Sequence, residues 1–370
     1  MNIALSLLAA LSPLIAQTHP EHPKPVISPE VHADRTVTFR LQAPNAKAAA
    51  VNIEGMKNPL PMQKGDDGVW TATSEPLDPD YYGYSLVPDG VSLIDPHNWL
   101  LKPNLLATQS MVHIPGAGLP WETTDVPRGE VHHHFYKSAV VGDFRDYYVY
   151  TPSGYDPRAS VKYPILYLLH GYSDDASGWT AVGRANVIMD NLIAQGKAKP
   201  MLVVMTLGYG VPEIVSPGAG LRDPGLRMKN YNLYRDALFG EVMPAIEKDY
   251  RVATDRSARA IAGLSMGGAE SLYIGLNNTD RFGSVASFSA GGLDEDFDAT
   301  FPKIAAAHNL KLLWIACGTE DRLIDWNRKM RAWLDTQKID HANIETPGVH
   351  SWLVWRRNLA AFAPLLFQEK

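Results

Sequence analysis

The sequence predicts two parts in series: a short all-β sandwich, then a larger α/β domain built on a mostly parallel sheet with helices on both faces. Three observations predict it. Over residues 31–115, short alternating runs recur with turn signals between them. From residue 163 onward, apolar strand-like runs alternate with helix-length segments. Residues 263–267 then join a strand-like run directly to a helix-like one. A length of 370 residues suits two domains.

In chain order, residues 1–16 (MNIALSLLAALSPLIA) form an apolar run too short to span a bilayer. They read as a signal-peptide core cleaved after Ala16, with only the terminal amine as positive charge, so a secreted or periplasmic address is expected. Residues 18–29, rich in His and Pro, read as an extended linker. Within 28–115, TVTFRL (36–41) and GVWTAT (68–73) alternate, 48–53 is apolar, and YYGYSLV (81–87) follows. Asp66-Asp67-Gly68 and Pro88-Asp89-Gly90 supply turns. Trp70, Tyr81, Tyr82, Tyr84 and Trp99 are expected to fill the sandwich core or its contact with the next domain, with sugar stacking as the alternative.

Residues 116–136, with Pro120 and Pro127, read as a linker. Its His132-His133-His134 run looks like a ligand cluster, but neighbours in an extended chain point to opposite faces, and no metal site is expected. Residues 137–370 form the α/β domain. KSAVVGDFRDYYVY (137–150) opens it as a strand or hairpin. YPILYLL (163–169), a helix over 186–195, MLVVMTL (201–207), a helix over 234–249, and strands at 258–262, 285–289 and 311–317 continue the alternation, and a last helix-like segment covers 353–367. The Gly- and Pro-rich stretch 209–229, containing Arg222 and Arg227, has no periodicity and reads as a lid or substrate rim.

The chemistry centres on Gly263-Leu264-Ser265-Met266-Gly267, between ARAIA (258–262) and GAESLYIGL (268–276). A strand–turn–helix bend lifts one hydroxyl out of a packed sheet, and flanking glycines relieve the crowding. A serine hydroxyl needs an imidazole to take its proton, and the imidazole needs a carboxylate to fix its tautomer. Strand 311–317 leads into Gly318-Thr319-Glu320-Asp321, at the sheet edge where such an acid belongs. Beyond it lie two histidines. His341 falls in polar DHANIE, whereas His350 falls in the Pro/Gly loop TPGVHSW, which makes His350 the better candidate. Strand 163–169 ends in His170-Gly171-Tyr172, so the N–H groups of Tyr172 and Met266 are candidate oxyanion donors, with His170 as a structural holder of the loop. A net charge of −6 gives no basic footprint for nucleic acid or an anionic membrane surface, and no membrane insertion is expected. The one cysteine, Cys317, ends an apolar run and reads as a small core residue.

The series LLHGYSDDASGW, GLSMGG, CGTEDRLID and TPGVHSWLVWRRNL resembles carbohydrate esterase family one, the group containing feruloyl and acetylxylan esterases. The likeness runs from about residue 137 to the C-terminus. It implies an α/β-hydrolase fold with Ser265 as nucleophile, His350 as general base and Asp321 as orienting acid, Glu320 and Asp325 being nearby carboxylates. It implies no cofactor or metal, and as substrate an acylated plant polysaccharide or oligosaccharide, feruloyl ahead of acetyl. Trp179, Tyr172 and Trp352 lie close in sequence to the motifs and are candidate pocket walls. Met205-Thr206-Leu207-Gly208 stands where many relatives carry a Pro-Asn-Gly turn. FRLQAPNAKAAAVNIEG, DGVWTAT and YYGYSLVPDGVSLIDP resemble the early-set immunoglobulin-like domain of glycogen-acting enzymes, whose relatives are the family forty-eight carbohydrate-binding modules. Enterochelin-type siderophore esterases share this combination and would need a basic pocket. Mycolyl transfer on the same fold would need a lipid groove, which nothing here signals. A non-enzymatic carbohydrate-binding scaffold is the remaining alternative, and an intact Ser–His–Asp set argues against it.

Overall fold

The computed structural model describes residues 25–216 and 223–368. The apolar leader and its cleavage point lie outside them, as does Arg222. The N-terminal region is β-rich: β1 (Glu30–Val31), β2 (Val37–Gln42), β3 (Ala49–Ile53), β4 (Leu60–Pro61), β5 (Gln63–Lys64), β6 (Val69–Thr73), β7 (Asp80–Pro88), β8 (Leu101–Lys102) and β9 (Gln109–Ile114). They form two antiparallel sheets, ordered β1-β2-β6-β5 and β4-β3-β7-β9-β8. Alternate residues of each turn inward, so Val37, Phe39, Leu41 and Trp70 of one sheet meet Val51, Ile53, Tyr84 and Val112 of the other in one apolar core. Polar tips inside it are satisfied: Trp70 Nε1 donates to the Ala43 carbonyl at 2.9 Å, and the Tyr84 hydroxyl to Asp95 at 2.8 Å. Trp70, Tyr82 and Tyr84 are thus core residues, and Tyr81 packs into the α/β region, between His113 and Arg184. Trp99 alone of the five is open, 89% exposed.

The α/β region carries β10 (Glu130–Lys137), β11 (Phe144–Thr151), β12 (Ile165–Leu169), β13 (Leu202–Thr206), β14 (Arg259–Leu264), β15 (Ser284–Phe288), β16 (Leu312–Gly318) and β17 (Ala342–Thr346). Its helices are α1 (Gly178–Ala181), α2 (Ala185–Ala194), α3 (Pro224–Ala237), α4 (Met243–Asp249), α5 (Ser265–Asn277), α6 (Phe297–Thr300), α7 (Ile324–Thr336) and α8 (Trp352–Phe362). One eight-stranded sheet runs β10-β11-β13-β12-β14-β15-β16-β17, parallel from β13 to β17 and antiparallel at the β10–β11–β13 edge. Its central strands are buried on both faces. Ile165, Tyr167 and Ile261 point into one apolar layer, and Leu166, Leu168 and Ala262 into the other. This explains why they read as continuous apolar runs.

Two expectations need correction. Residues 130–136 are not linker: they belong to β10, the edge strand, paired over eight residues with β11. Both its faces are open or half-open, so no apolar alternation betrays it, and backbone hydrogen bonds alone define the strand. The histidines do alternate: His133 stacks on Tyr148 and meets Asp146 at 2.7 Å, while His134 lies against Tyr147 and Tyr250. The stretch 209–229 is not a loop throughout, because α3 begins at Pro224. Asp223 caps it, accepting from the Gly225 and Leu226 amides at 2.8 and 3.2 Å, and proline at the first helical position costs no hydrogen bond. Arg227, now helical, donates to the Gly292 carbonyl at 2.8 Å. Between α3 and α4 the helix widens to a π turn at Leu238–Val242, where Pro244 supplies no N–H.

Helix α8 joins the two regions. Its Leu353 packs against the β-rich core. Arg356, fully buried, donates to Asp80 at 2.9 Å and to the carbonyls of Tyr81 and Val182 at 2.5 and 2.8 Å.

Candidate active site

Three strand ends meet at the C-terminal edge of the sheet. β14 delivers Ser265, β16 ends at Gly318 just before Asp321, and β17 ends at Thr346 just before His350. Leu264 is extended, but Ser265 has φ +52°, a left-handed conformation unfavourable for a residue with a Cβ. This sharp turn starts α5 at once and presents the hydroxyl edge-on. The glycines make it possible. A Cβ on Gly263 would lie 2.4 Å from the Gly267 carbonyl oxygen, and one on Gly267 would lie 2.3 Å from that of His170. Both neighbours are backbone and cannot step aside.

The Ser265 hydroxyl donates to His350 Nε2 at 3.0 Å, and His350 Nδ1 donates to Asp321 Oδ2 at 2.8 Å. Asp321 is buried, and its other oxygen accepts the Leu323 amide at 2.9 Å. Burial alone would raise its carboxyl, but the hydrogen bond and charge of His350 and the Leu323 amide outweigh it and hold it below the ordinary carboxylate range. Glu320 and Asp325 are exposed and stand outside the relay. His341 bonds the Ile339 carbonyl at 3.0 Å instead. Chemically, this arrangement holds an imidazole lone pair on a hydroxyl and a carboxylate behind the imidazolium that proton transfer would create. Cys317, buried beneath, has its thiol pushed up to about 12 by burial and is chemically quiet.

The facing loop follows β12. A Cβ on Gly171 would touch Leu264 and come within 3.4 Å of Ser265 Cβ, so the loop backbone passes directly beside the serine. Tyr172 lies on this loop, and Met266 lies in the first turn of α5, where amides have no intrahelical acceptor. His170 is buried and holds the loop. It donates through Nδ1 to the Gly171 carbonyl at 2.7 Å and accepts the Gly208 amide on Nε2 at 2.9 Å. Burial lowers its pKa to about 4. Because the unfolded residue titrates near 6.5, the unfolded chain takes up a proton that the folded chain refuses as pH falls. The neutral imidazole therefore contributes stability above pH 6.5 that is lost towards pH 4, on the order of 3 kcal/mol. The wild-type stability advantage over His170→Gln will shrink across that window, as read from denaturant midpoints at each pH.

Around Ser265 and His350 opens a cleft of about 370 Å³. The α/β region lines it with Tyr172, Asp174, Arg322, Trp352 and Trp355. The β-rich region contributes Glu54, Lys102, Asn104, Ala107 and Gln109, which sequence reasoning missed. Asn104 Nδ2 reaches Ser173 and Asp174 at 2.9 and 3.1 Å, and the Leu105 amide bonds the Ser173 carbonyl at 2.7 Å. Burial lifts the Asp174 carboxyl to about 7. Of the two tryptophans expected as pocket walls, Trp352 lines the cleft. Trp179 does not: it is fully buried, bonded to the Leu169 carbonyl at 2.9 Å and packed edge-on against Trp352 and Phe288. Trp355, one turn beyond Trp352, takes the wall position and meets the His350 ring edge-on at 4.9 Å. Its spacing from Trp352 on a helix was the available signal. Among the described residues no group of three His, Cys, Asp or Glu side chains could hold a metal ion, and no helix is long and apolar enough to cross a membrane.

A doubly covered parallel sheet with a serine at such a turn defines an α/β-hydrolase. The family model described as "Putative esterase" matches residues 138–366, and the chain belongs to this esterase family. The endo-1,4-beta-xylanase/feruloyl esterase of Xylanibacter ruminicola is 31% identical over 349 residues, which are 92% of this chain and 46% of that protein. The chain thus spans less than half the length of that relative. An acetyl esterase of Caldicellulosiruptor saccharolyticus is 22% identical over 233 residues, 53% of this chain and 80% of that one. Among solved structures, a ferulic acid esterase of carbohydrate esterase family one from Anaeromyces mucronatus superposes with a TM-score of 0.57 at 26% identity, covering 66% of this chain and 93% of its own. The enterobactin esterase of Shigella flexneri shares the fold over 89% of this chain and 92% of its own, with a TM-score of 0.66 at 20% identity.

Proposed function

We propose that this protein is a serine carboxylesterase that releases ester-linked acyl groups, feruloyl first and acetyl second, from plant cell-wall polysaccharide such as xylan. The observation that carries the reading is the Ser265–His350–Asp321 relay, with contacts of 3.0 and 2.8 Å at the floor of an open cleft. Ser265 Oγ attacks the ester carbonyl carbon as His350 Nε2 takes its proton. The oxyanion is stabilised by the amides of Tyr172 and Met266, the second aided by the N-terminal end of α5. Collapse breaks the bond to the sugar oxygen, which leaves as an alcohol with the proton returned by His350. Water then repeats the sequence on the acyl-enzyme. No step calls for a metal or cofactor.

Tyr172, Trp352 and Trp355, with the polar Asn104, Gln109 and Asp174, suit a planar aromatic acyl group bearing oxygen substituents. The relatives named for feruloyl ester cleavage support the same substrate class. For the β-rich region, we read residues 28–115 as an immunoglobulin-like early-set module, with exposed Trp99 as the one aromatic of the five free for sugar stacking. A secreted or periplasmic enzyme fits an insoluble polymer substrate.

The test is hydrolysis of methyl ferulate beside acetylated xylan. Ferulate release supports the reading; acetate release alone moves it to acetylxylan, and activity on neither rejects plant polymer. Asp321→Asn will lower kcat by about 10⁴, because the amide presents the wrong imidazole tautomer. Steady-state kinetics on methyl ferulate check it.

A further inference from the structure

We propose that Glu54, a residue of the β-rich region, is a positioning residue for His350 and acts through the N-terminus of α8. The proposal rests on the reading of Ser265 and His350 given above. Helix α8 starts at Trp352, two residues after His350. The first amides of a helix have no intrahelical acceptor and need one from outside. Ser351, at the capping position, makes no side-chain cap, and its hydroxyl is buried without a partner. The acceptor comes instead from the other region of the chain. Glu54 Oε1 accepts the Trp352 amide at 2.9 Å.

That carboxylate is itself held on the other side. Glu54 Oε2 accepts the Gly83 amide at 3.0 Å and Lys102 Nζ at 3.2 Å, and the Glu54 amide donates to the Gly83 carbonyl at 2.8 Å. Burial works against its ionisation, but Lys102, Arg356 and the two amides hold its pKa below the ordinary value, so a negative charge faces the positive end of the helix. The backbone fits closely here. Gly55 has φ +85°, and a Cβ on it would come within 3.1 Å of Leu353 Cδ1. Leu353 in turn packs into the β-rich core.

His350 is therefore bracketed. Asp321 fixes its Nδ1, and Trp355, on the second turn of α8, closes on its ring. A slip of the start of α8 moves both His350 and Trp355 relative to Ser265. Displacements of about 1 Å in such a relay cost rate on the order of a hundredfold.

The experiment uses the full chain and two readouts that avoid the wider cleft: the rate of Ser265 labelling by a small fluorophosphonate, and kcat and KM on p-nitrophenyl acetate. Glu54→Ala is expected to slow labelling and lower kcat by about tenfold to a hundredfold, with KM changed by less than about twofold. Glu54→Gln keeps a carbonyl acceptor for the Trp352 amide and should fall between Glu54→Ala and wild type. Thermal melts establish that each variant is folded. Wild-type labelling by Glu54→Ala, or by Glu54→Gln if the alanine variant does not fold, would reduce Glu54 to a link between regions and overturn the proposal. Absence of labelling in the wild type itself, with Ser265→Ala as blank, would overturn the serine reading and this proposal together.

Discussion

Ser265→Ala will lower ester turnover by about 10⁴- to 10⁶-fold and leave the melting temperature close to wild type. Loss of a nucleophile that works as a unit with its base costs nearly as much as loss of the whole set. What remains comes from binding and oxyanion stabilisation. Stability is spared for a geometric reason. The hydroxyl makes one hydrogen bond, to a histidine that lines the same cleft, while the turn is held by Gly263, Gly267 and the start of α5. Alanine also keeps the Cβ that already occupies the left-handed position. Turnover of methyl ferulate and a calorimetric scan on the same preparation check both halves. Residual activity above about 1% of wild type would assign the nucleophile elsewhere.

Arg356→Met will have the largest effect on stability, about 3–5 kcal/mol at neutral pH. Arg356 and Asp80 are both fully buried, and their ion pair spans the junction of the two regions at 2.8 Å. Burial already raises the Asp80 carboxyl above its ordinary pKa despite the guanidinium, so taking this carboxylate out of water costs more than the attraction returns. Removing the arginine leaves the carboxylate with the Tyr81 amide at 2.8 Å and, as its cation, the more distant Arg357 at 3.6 Å. The sign of the pH effect follows. As pH falls, Asp80 protonates in the folded variant and the penalty shrinks, so the gap to wild type narrows in acid. The double variant Asp80→Leu/Arg356→Met will recover much of the loss, since neither buried charge remains. Urea denaturation of the four proteins of this cycle, at neutral and acid pH, measures all three statements.

The sheet and the meeting of Ser265, His350 and Asp321 were legible in the sequence because each leaves a local mark. Strands buried on both faces show as unbroken apolar runs, and Ser265, Asp321 and His350 each follow the C-terminal end of a sheet strand. Elements with little burial leave none. β10 is an edge strand with both faces part-open, so nearly all of it reads as linker. The start of α3 is written plainly as Asp223-Pro224, a cap followed by a favoured first residue, but the glycine and proline content around it masks the signal. Side-chain direction is the other blind spot. Trp179 lies within the first motif and Trp355 within the last, yet one is fully buried on the Leu169 carbonyl and the other faces His350. The cleft wall built from Glu54, Lys102, Asn104 and Gln109 is invisible in the sequence, because it depends on how two separate regions dock.

That docking sets a timetable for synthesis. Glu54 and the Trp352 amide are 298 residues apart, and Asp80 and Arg356 are 276. The β-rich region leaves the ribosome long before α8 exists, with Asp80, Tyr81 and the surface that receives Leu353 still uncovered. Contacts of such long sequence separation form late, and a nascent chain holding an apolar surface open is prone to association with its neighbours. Closing of the β-rich region over this junction therefore waits for α8, the helix that carries both Trp352 and Arg356.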